Sequence, residues 1–167
     1  MKVKSIVING IIAALYIAVT MLVQPFGYNA IQFRLSEMFN HLVVFNKKYM
    51  IGIVLGVFIA NLFSPLGMYD LAFGVGQSIL SLAITIWSAR FIKGQATRMI
   101  FNTIVFTIMM FLIAIEIQLV GDIPFALKPF LLTWLTCAAG EFAVMAVGIP
   151  VMMLLNKRLH FNKLIEE

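Results

Sequence analysis

Charge is scarce in this chain: Asp, Glu, Lys and Arg make up 11% of its 167 residues, while 62% are hydrophobic. Soluble domains carry about 25% charged residues, so the shortage excludes an ordinary water-facing surface. Cysteine is nearly missing. Cys137 is the only one, and it sits inside an apolar run, which excludes a disulfide framework and makes the thiol a small core hydrophobe. No linker rich in Gly, Ser or Pro, no charge block and no repeat divides the sequence, so residues 1–167 read as one domain. A G-x-x-x-x-G-K-[ST] loop is absent, which excludes ATP hydrolysis by the chain itself. H-E-x-x-H, nucleophile-elbow and Cys-His arrangements are absent too, so a binding protein is expected rather than an enzyme. His, Cys and Asp show no metal-ligand spacing, and no metal or cofactor is expected.

What is present is long apolar runs, with a mean hydropathy of +1.03. They predict an all-α integral membrane protein. A helix crossing the hydrocarbon needs about 20 apolar residues, and by that measure six spans fall near 5–23, 31–46, 49–65, 70–91, 99–119 and 129–155. Breaks come at Pro25-Phe26-Gly27, Asn46-Lys47-Lys48, Ser64-Pro65-Leu66-Gly67, Lys93-Gly94-Gln95 and Gly121-Asp122-Ile123-Pro124. The second span is short and starts polar, which leaves a re-entrant helix open. Lys2 and Lys4 precede an apolar run longer than the h-region of a secretory signal, and no A-x-A site follows it, so it counts as the first span.

A net charge of +5 and a pI near 9.6 raise the question of nucleic acid. The distribution answers it. With a cytoplasmic N-terminus, Lys2, Lys4, Lys47, Lys48, Arg90, Lys93, Arg98, Lys157, Arg158 and Lys163 all fall inside, and only Arg34 and Lys128 fall outside. That is the positive-inside pattern. It predicts a cytoplasmic membrane protein with both termini in the cytoplasm, whose basic residues face lipid headgroups and not nucleic acid.

The remaining polar groups gather in the outer half. Arg34, Glu37, Asn40 and His41 lie there in the second span, Asn61 and Ser64 end the third, and Asp70 opens the fourth with Gln77 two turns below. Glu116 and Gln118 close the fifth, Asp122 and Lys128 lie on the next external loop, and Glu141 is at mid-depth in the sixth. Ionisable groups at such depth cost at least about 2.5–3.5 kcal/mol each and normally face a partner or a wet cavity. In an α-helix Arg34, Glu37 and His41 would fall within about 60° of one face. Arg34 with Glu37 is either a structural ion pair or the wall of a solute pocket. Glu141, flanked by Ala138, Ala139, Gly140 and Ala143, is either a ligand acceptor or a protonated acid bonded to another helix. His41 reads as structural or pocket-lining. Phe26, Tyr28, Phe33, Tyr69, Phe125 and Trp134 border the outer mouth as an aromatic belt, from which one or two rings would stack on a flat ligand.

Small residues mark helix contacts. Gly52, Gly56 and Ala60 form one seam, and Gly74, Ser78, Ser81, Thr85 and Ser88 another. Ala14 and Ala18 make a weak A-x-x-x-A, and Pro150 is expected to bend the inner end of the sixth span.

The segments Phe33-Arg34-Leu35-Ser36-Glu37 and Ala60-Asn61-Leu62-Phe63-Ser64-Pro65-Leu66-Gly67, with Asp70 following and an Ala-lined first helix, carry a resemblance. The chain resembles, over essentially its whole length, the queuosine-precursor S-components (the QueT family) of energy-coupling factor (ECF) transporters. The resemblance implies a six-helix transmembrane bundle of the S-component type. It implies a subunit that captures a small solute from outside, docks onto a transmembrane coupling protein and two cytosolic ATPases, and topples to release the solute inward. It implies further that Ala14 and Ala18 meet the coupling protein, and that the solute is a 7-deazaguanine base bound near the outer face. A guanine-like edge offers two adjacent N–H donors to a carboxylate, and its carbonyl needs a donor. Glu37 or Glu141 would accept, Asn61, Gln77 and Arg34 would donate, and Asp70 or Glu116 stand in reserve, with His41 lining the pocket and Trp134, Tyr28 or Phe33 stacking.

Three other readings are open: an S-component for another vitamin, a small proton-coupled carrier, and a membrane enzyme or scaffold without transport. Co-purification with coupling ATPases separates the first two. Binding of a deazaguanine separates them from the third.

Overall fold

The computed structural model describes residues 3–23, 34–121 and 126–166. The described residues are helical, with no strand among them. Helix α1 spans Val3–Leu22. A 3₁₀ segment, Leu35–His41, runs into the one-turn α2, Leu42–Phe45, and a 3₁₀ turn at Lys47–Tyr49 leads into α3, Met50–Asn61. Four further helices follow: α4, Met68–Ser88; α5, Gln95–Val120; α6, Leu127–Leu159; and the short α7, Phe161–Glu166.

Helices α1, α4, α5 and α6 are long and apolar enough to cross a membrane. Their outward faces carry exposed Ile6, Leu15, Leu80, Ile104 and Phe142, side chains that only a hydrocarbon surrounding accommodates in such number. The chain is therefore a multi-pass membrane protein. At about 1.5 Å per residue, the 33 residues of α6 reach about 50 Å, well beyond the hydrocarbon, and the helix runs on through Pro150.

Over the expected second and third spans the helical segments are short. From 35 to 45 the chain is mostly 3₁₀ helix, about 20 Å long, and the 3₁₀ turn at Lys47–Tyr49 together with the 12 residues of α3 reaches about 24 Å. Both are shorter than the four long helices, against a hydrocarbon core of about 30 Å. The cause is local: polar residues crowd positions 34–41, and Asn46, whose side chain accepts from the Lys48 N–H at 3.0 Å, ends one segment and caps the next. At the other end of α3, backbone turns to Ser64 and a left-handed Gly67 (φ 62°) reverse the chain into α4.

Small residues set the helix crossings. A Cβ on Gly52 would lie 2.6 Å from the Asn9 carbonyl oxygen, and one on Gly56 would lie 2.7 Å from the Tyr16 Cβ, so α3 packs backbone to backbone on α1. Gly148 lets α6 approach Met38 in the same way. The α4 seam is buried as read: Ser78, Ser81, Thr85 and Ser88 face inward, and the Thr85 hydroxyl donates to Asn102 Oδ1 of α5 at 2.6 Å. The apolar core, with Tyr16, Tyr49, Ile53, Leu82 and Phe106, fills the basic end and the middle of the bundle. Cys137 is buried beside Met110 and Ile113.

Candidate functional site

The 3₁₀ geometry decides where the second segment's side chains go. With about three residues per turn, positions i and i+3 eclipse, so Glu37 and Asn40 share a row that starts at Arg34, and His41 turns away. The expectation that Arg34, Glu37 and His41 form one stripe is corrected accordingly.

Arg34 makes its salt bridge with Asp70 of α4, Nη2 to Oδ2 at 3.1 Å, and its Nη1 lies 3.5 Å from Asn61 Oδ1. Asn61 in turn donates to the Asp70 carbonyl at 2.9 Å. Gly74 makes this contact fit, since a Cβ there would fall 2.5 Å from Asn61 Nδ2. Arg34 thus closes the end opposite most of the basic residues by pairing with Asp70, 36 residues away. Glu37 receives neutral donors: Tyr16 Oη at 2.7 Å, and Asn40 Nδ2. One turn along α1, the Thr20 hydroxyl donates to Ser36 Oγ at 2.7 Å.

His41 is fully buried, with Nε2 2.9 Å from the Met145 carbonyl of α6 and Nδ1 3.3 Å from Asn102 Nδ2 of α5. Both ring nitrogens have partners, so the ring ties α5 and α6 to the 3₁₀ segment. Gln77 is buried with only weak amide contacts, 3.9 Å to the Met110 sulfur and 3.4 Å to the Ser78 hydroxyl. Trp134 is half-buried, donates to the Ile108 carbonyl at 3.2 Å and lies near Phe130, ring centroids 6.2 Å apart.

Buried polar atoms without a partner among the described residues include Ser5 Oγ, Asn40 Oδ1 and Ser81 Oγ, and three further side chains carry more of them. Glu116 is 0% exposed, Glu141 2% and Gln118 4%, yet both carboxylate oxygens of Glu116, both amide atoms of Gln118 and Oε1 of Glu141 find no hydrogen-bond partner among the described residues. Glu116 sits about 6 Å inside the end of α5 and near enough to Asp70 and Arg34 to feel their charges. Glu141 lies about 21 Å along α6, near enough to Glu37 for the two to interact electrostatically. Buried polar atoms are nearly always satisfied, and an orphaned carboxylate is costly. Both acids are near enough to Arg34 to feel its charge, and they share a neighbourhood on α5 and α6, which pack together.

Ala14 and Ala18 are exposed on α1, away from this region. The expectations for Phe26, Tyr28, Phe33, Asp122 and Phe125 fall outside the described residues. Sequence reasoning missed Tyr16, Thr20 and Asn102 as members of the polar network. A signal for two of them existed: Ser5, Asn9, Tyr16 and Thr20 fall within about 60° of one face of α1, a polar stripe hidden by attention to its alanines. Among the described residues no three His, Cys, Asp or Glu are placed to hold a metal ion.

A multi-pass bundle that hides carboxylates and amides between its helices belongs to the class of membrane proteins that handle solutes. More narrowly, the chain belongs to the QueT transporter family, which matches residues 6–157. It is 37% identical over 170 residues to the queuosine precursor transporter QueT of Lactococcus lactis subsp. cremoris (strain MG1363), covering 97% of this chain and 98% of that relative. No solved structure matches. The family is one of transporters and not of enzymes, and its membership assigns this chain a transport role.

Proposed function

We propose that this protein is the substrate-capturing subunit of an energy-coupling factor uptake transporter, and that it binds a 7-deazaguanine queuosine precursor from the outer side of the membrane. The observation that carries the reading is that Glu116, Gln118 and Glu141, deeply buried on the packed helices α5 and α6, hold five side-chain oxygen and nitrogen atoms without a hydrogen-bond partner among the described residues. The relative's queuosine-precursor specificity supports the choice of solute.

In this reading Glu141 accepts the paired N–H donors of the guanine-like edge, and Gln118 and Gln77 serve the ring carbonyl. Glu37, already holding Tyr16 and Asn40, keeps lone pairs for a second contact. Glu116 faces a cationic aminomethyl substituent when the precursor has one. Arg34, Asp70, Asn61 and His41 hold the walls, and Trp134 flanks the ring. The basic end faces the cytoplasm, as the positive-inside pattern requires, and exposed Ala14 and Ala18 meet the coupling protein, which works with two ATPases.

Calorimetry of the purified chain against a panel of deazaguanines, other purine-like solutes and vitamins tests the binding. Submicromolar affinity for a deazaguanine is expected, and absence of any purine-like ligand would sink the assignment. Co-purification with a coupling protein and two ATPases tests the energy source. A second reading, a proton-coupled carrier, is favoured by the unpartnered buried acids themselves; it requires the chain to transport alone in liposomes under a pH gradient.

A further inference from the structure

At the basic end, away from the solute region, a groove of about 690 Å³ opens between α2, the ends of α4 and α5, and α7. Lys47, Arg90 and Arg98 line it, with exposed Trp87 on its wall. Arg98 is fixed there: one guanidinium nitrogen donates to the Val44 carbonyl at 2.9 Å, while its Nε is buried with no partner among the described residues. Among the described lining residues the carboxylate is Glu166, which accepts from Asn46 Nδ2 at 2.8 Å, and the same amide reaches Asn162 at 2.9 Å. Lys47, Arg90 and Arg98 outnumber it on that lining.

A second cleft, about 530 Å³, runs along the membrane-facing side between α3 and α4, walled by Val54, Leu55, Phe58, Val75 and Ile79. Lys47 and Met50 line both cavities. The cleft extends from Met50 to Phe58, about 12 Å along α3, most of one leaflet of a hydrocarbon core about 30 Å thick. A cationic groove at headgroup level continues into an apolar cleft at acyl-chain level.

We propose that this composite site holds one anionic phospholipid, its phosphate among Lys47, Arg90 and Arg98 and an acyl chain in the α3–α4 cleft. Charge selects the headgroup, since basic pockets between transmembrane helices attract anionic lipid. Continuity with the cleft selects a lipid over a free phosphate, which would leave the apolar wall without a ligand. The bound lipid bridges α3 to α4, and so braces the segment that carries Asn61 at its far end.

Native mass spectrometry of the full-length protein, loaded with phosphatidylglycerol or phosphatidylcholine of matched chains, tests the proposal. Wild type is expected to retain phosphatidylglycerol about tenfold better, in keeping with the attraction of each Lys or Arg to anionic lipid. The double variant Lys47→Gln/Arg90→Gln, at exposed positions, should lose that preference, and Ile79→Trp, which fills the cleft, should lower retention of both lipids. Inorganic phosphate should displace neither lipid. Equal retention of the two lipids by wild type, a preference that survives the double variant, retention unaltered by Ile79→Trp, or displacement by phosphate would each overturn the assignment. Unchanged melting temperatures for both variants in lipid-free detergent tie these effects to the site rather than to folding.

Discussion

Two parts of the buried polar layer differ in how many of their hydrogen bonds are made. On the side of the 3₁₀ segment, Arg34 meets Asp70, Asn61 holds the Asp70 carbonyl, Tyr16 and Asn40 hold Glu37, and His41 is tied to Met145 and Asn102. On α5 and α6, Glu116, Gln118 and one carboxylate oxygen of Glu141 are as deeply buried but find no partner among the described residues. A satisfied network rigidifies the helices it joins, whereas buried groups without partners cost stability unless something else meets them. The first part, bound by many hydrogen bonds although Asn40 Oδ1 has no partner among the described residues, is therefore a frame, and the second is where a solute is expected.

Substitutions can break this comparison. The largest effect is expected from Asp70→Ala, which removes the carboxylate of the part-buried ion pair with Arg34: about 3 kcal/mol of stability lost, the upper worth of a hydrogen bond to a charged group, read as a fall in unfolding midpoint in detergent. Next comes Glu141→Gln, or Glu116→Gln, expected to weaken deazaguanine binding by about 1.5–3 kcal/mol, the worth of a hydrogen bond to a charged group, with an unfolding midpoint no lower than wild type. If instead these variants keep full affinity, the acids without partners do not contact the ligand. Gly56→Ala sharpens the frame argument, because its Cβ would press to 2.7 Å on Tyr16; a cost of about 1–3 kcal/mol is expected from overpacking, seen in thermal unfolding. The smallest effect is Thr85→Val, which removes one hydrogen bond to Asn102 and should cost about 1 kcal/mol, with ligand affinity unchanged.

Much of the fold was legible in the residues. Four long apolar runs became α1, α4, α5 and α6, and the seams at Gly52, Gly56 and the Ser/Thr row of α4 became close helix contacts. The second segment was harder to read. Whether it winds as α or 3₁₀ helix turns on what receives its side chains, and those receivers, Tyr16, Met145 and Asn102, lie on three other helices. The pairing of Arg34 was illegible for the same reason. Asp70 is far along the chain, and it reaches Arg34 because the turn through Gly67 brings the start of α4 across.

The sequence by itself determined that this chain lives in a membrane, that it is helical, and that its costly polar residues are few and worth explaining. Those properties are sums over local runs, because burial of apolar side chains and the need to satisfy backbone groups in lipid act residue by residue. Only the tertiary structure decided which polar groups pair and which stay open. Hydrogen bonds and ion pairs require atoms within about 3 Å, and helices far apart in the chain supply both halves of nearly every pair that matters here.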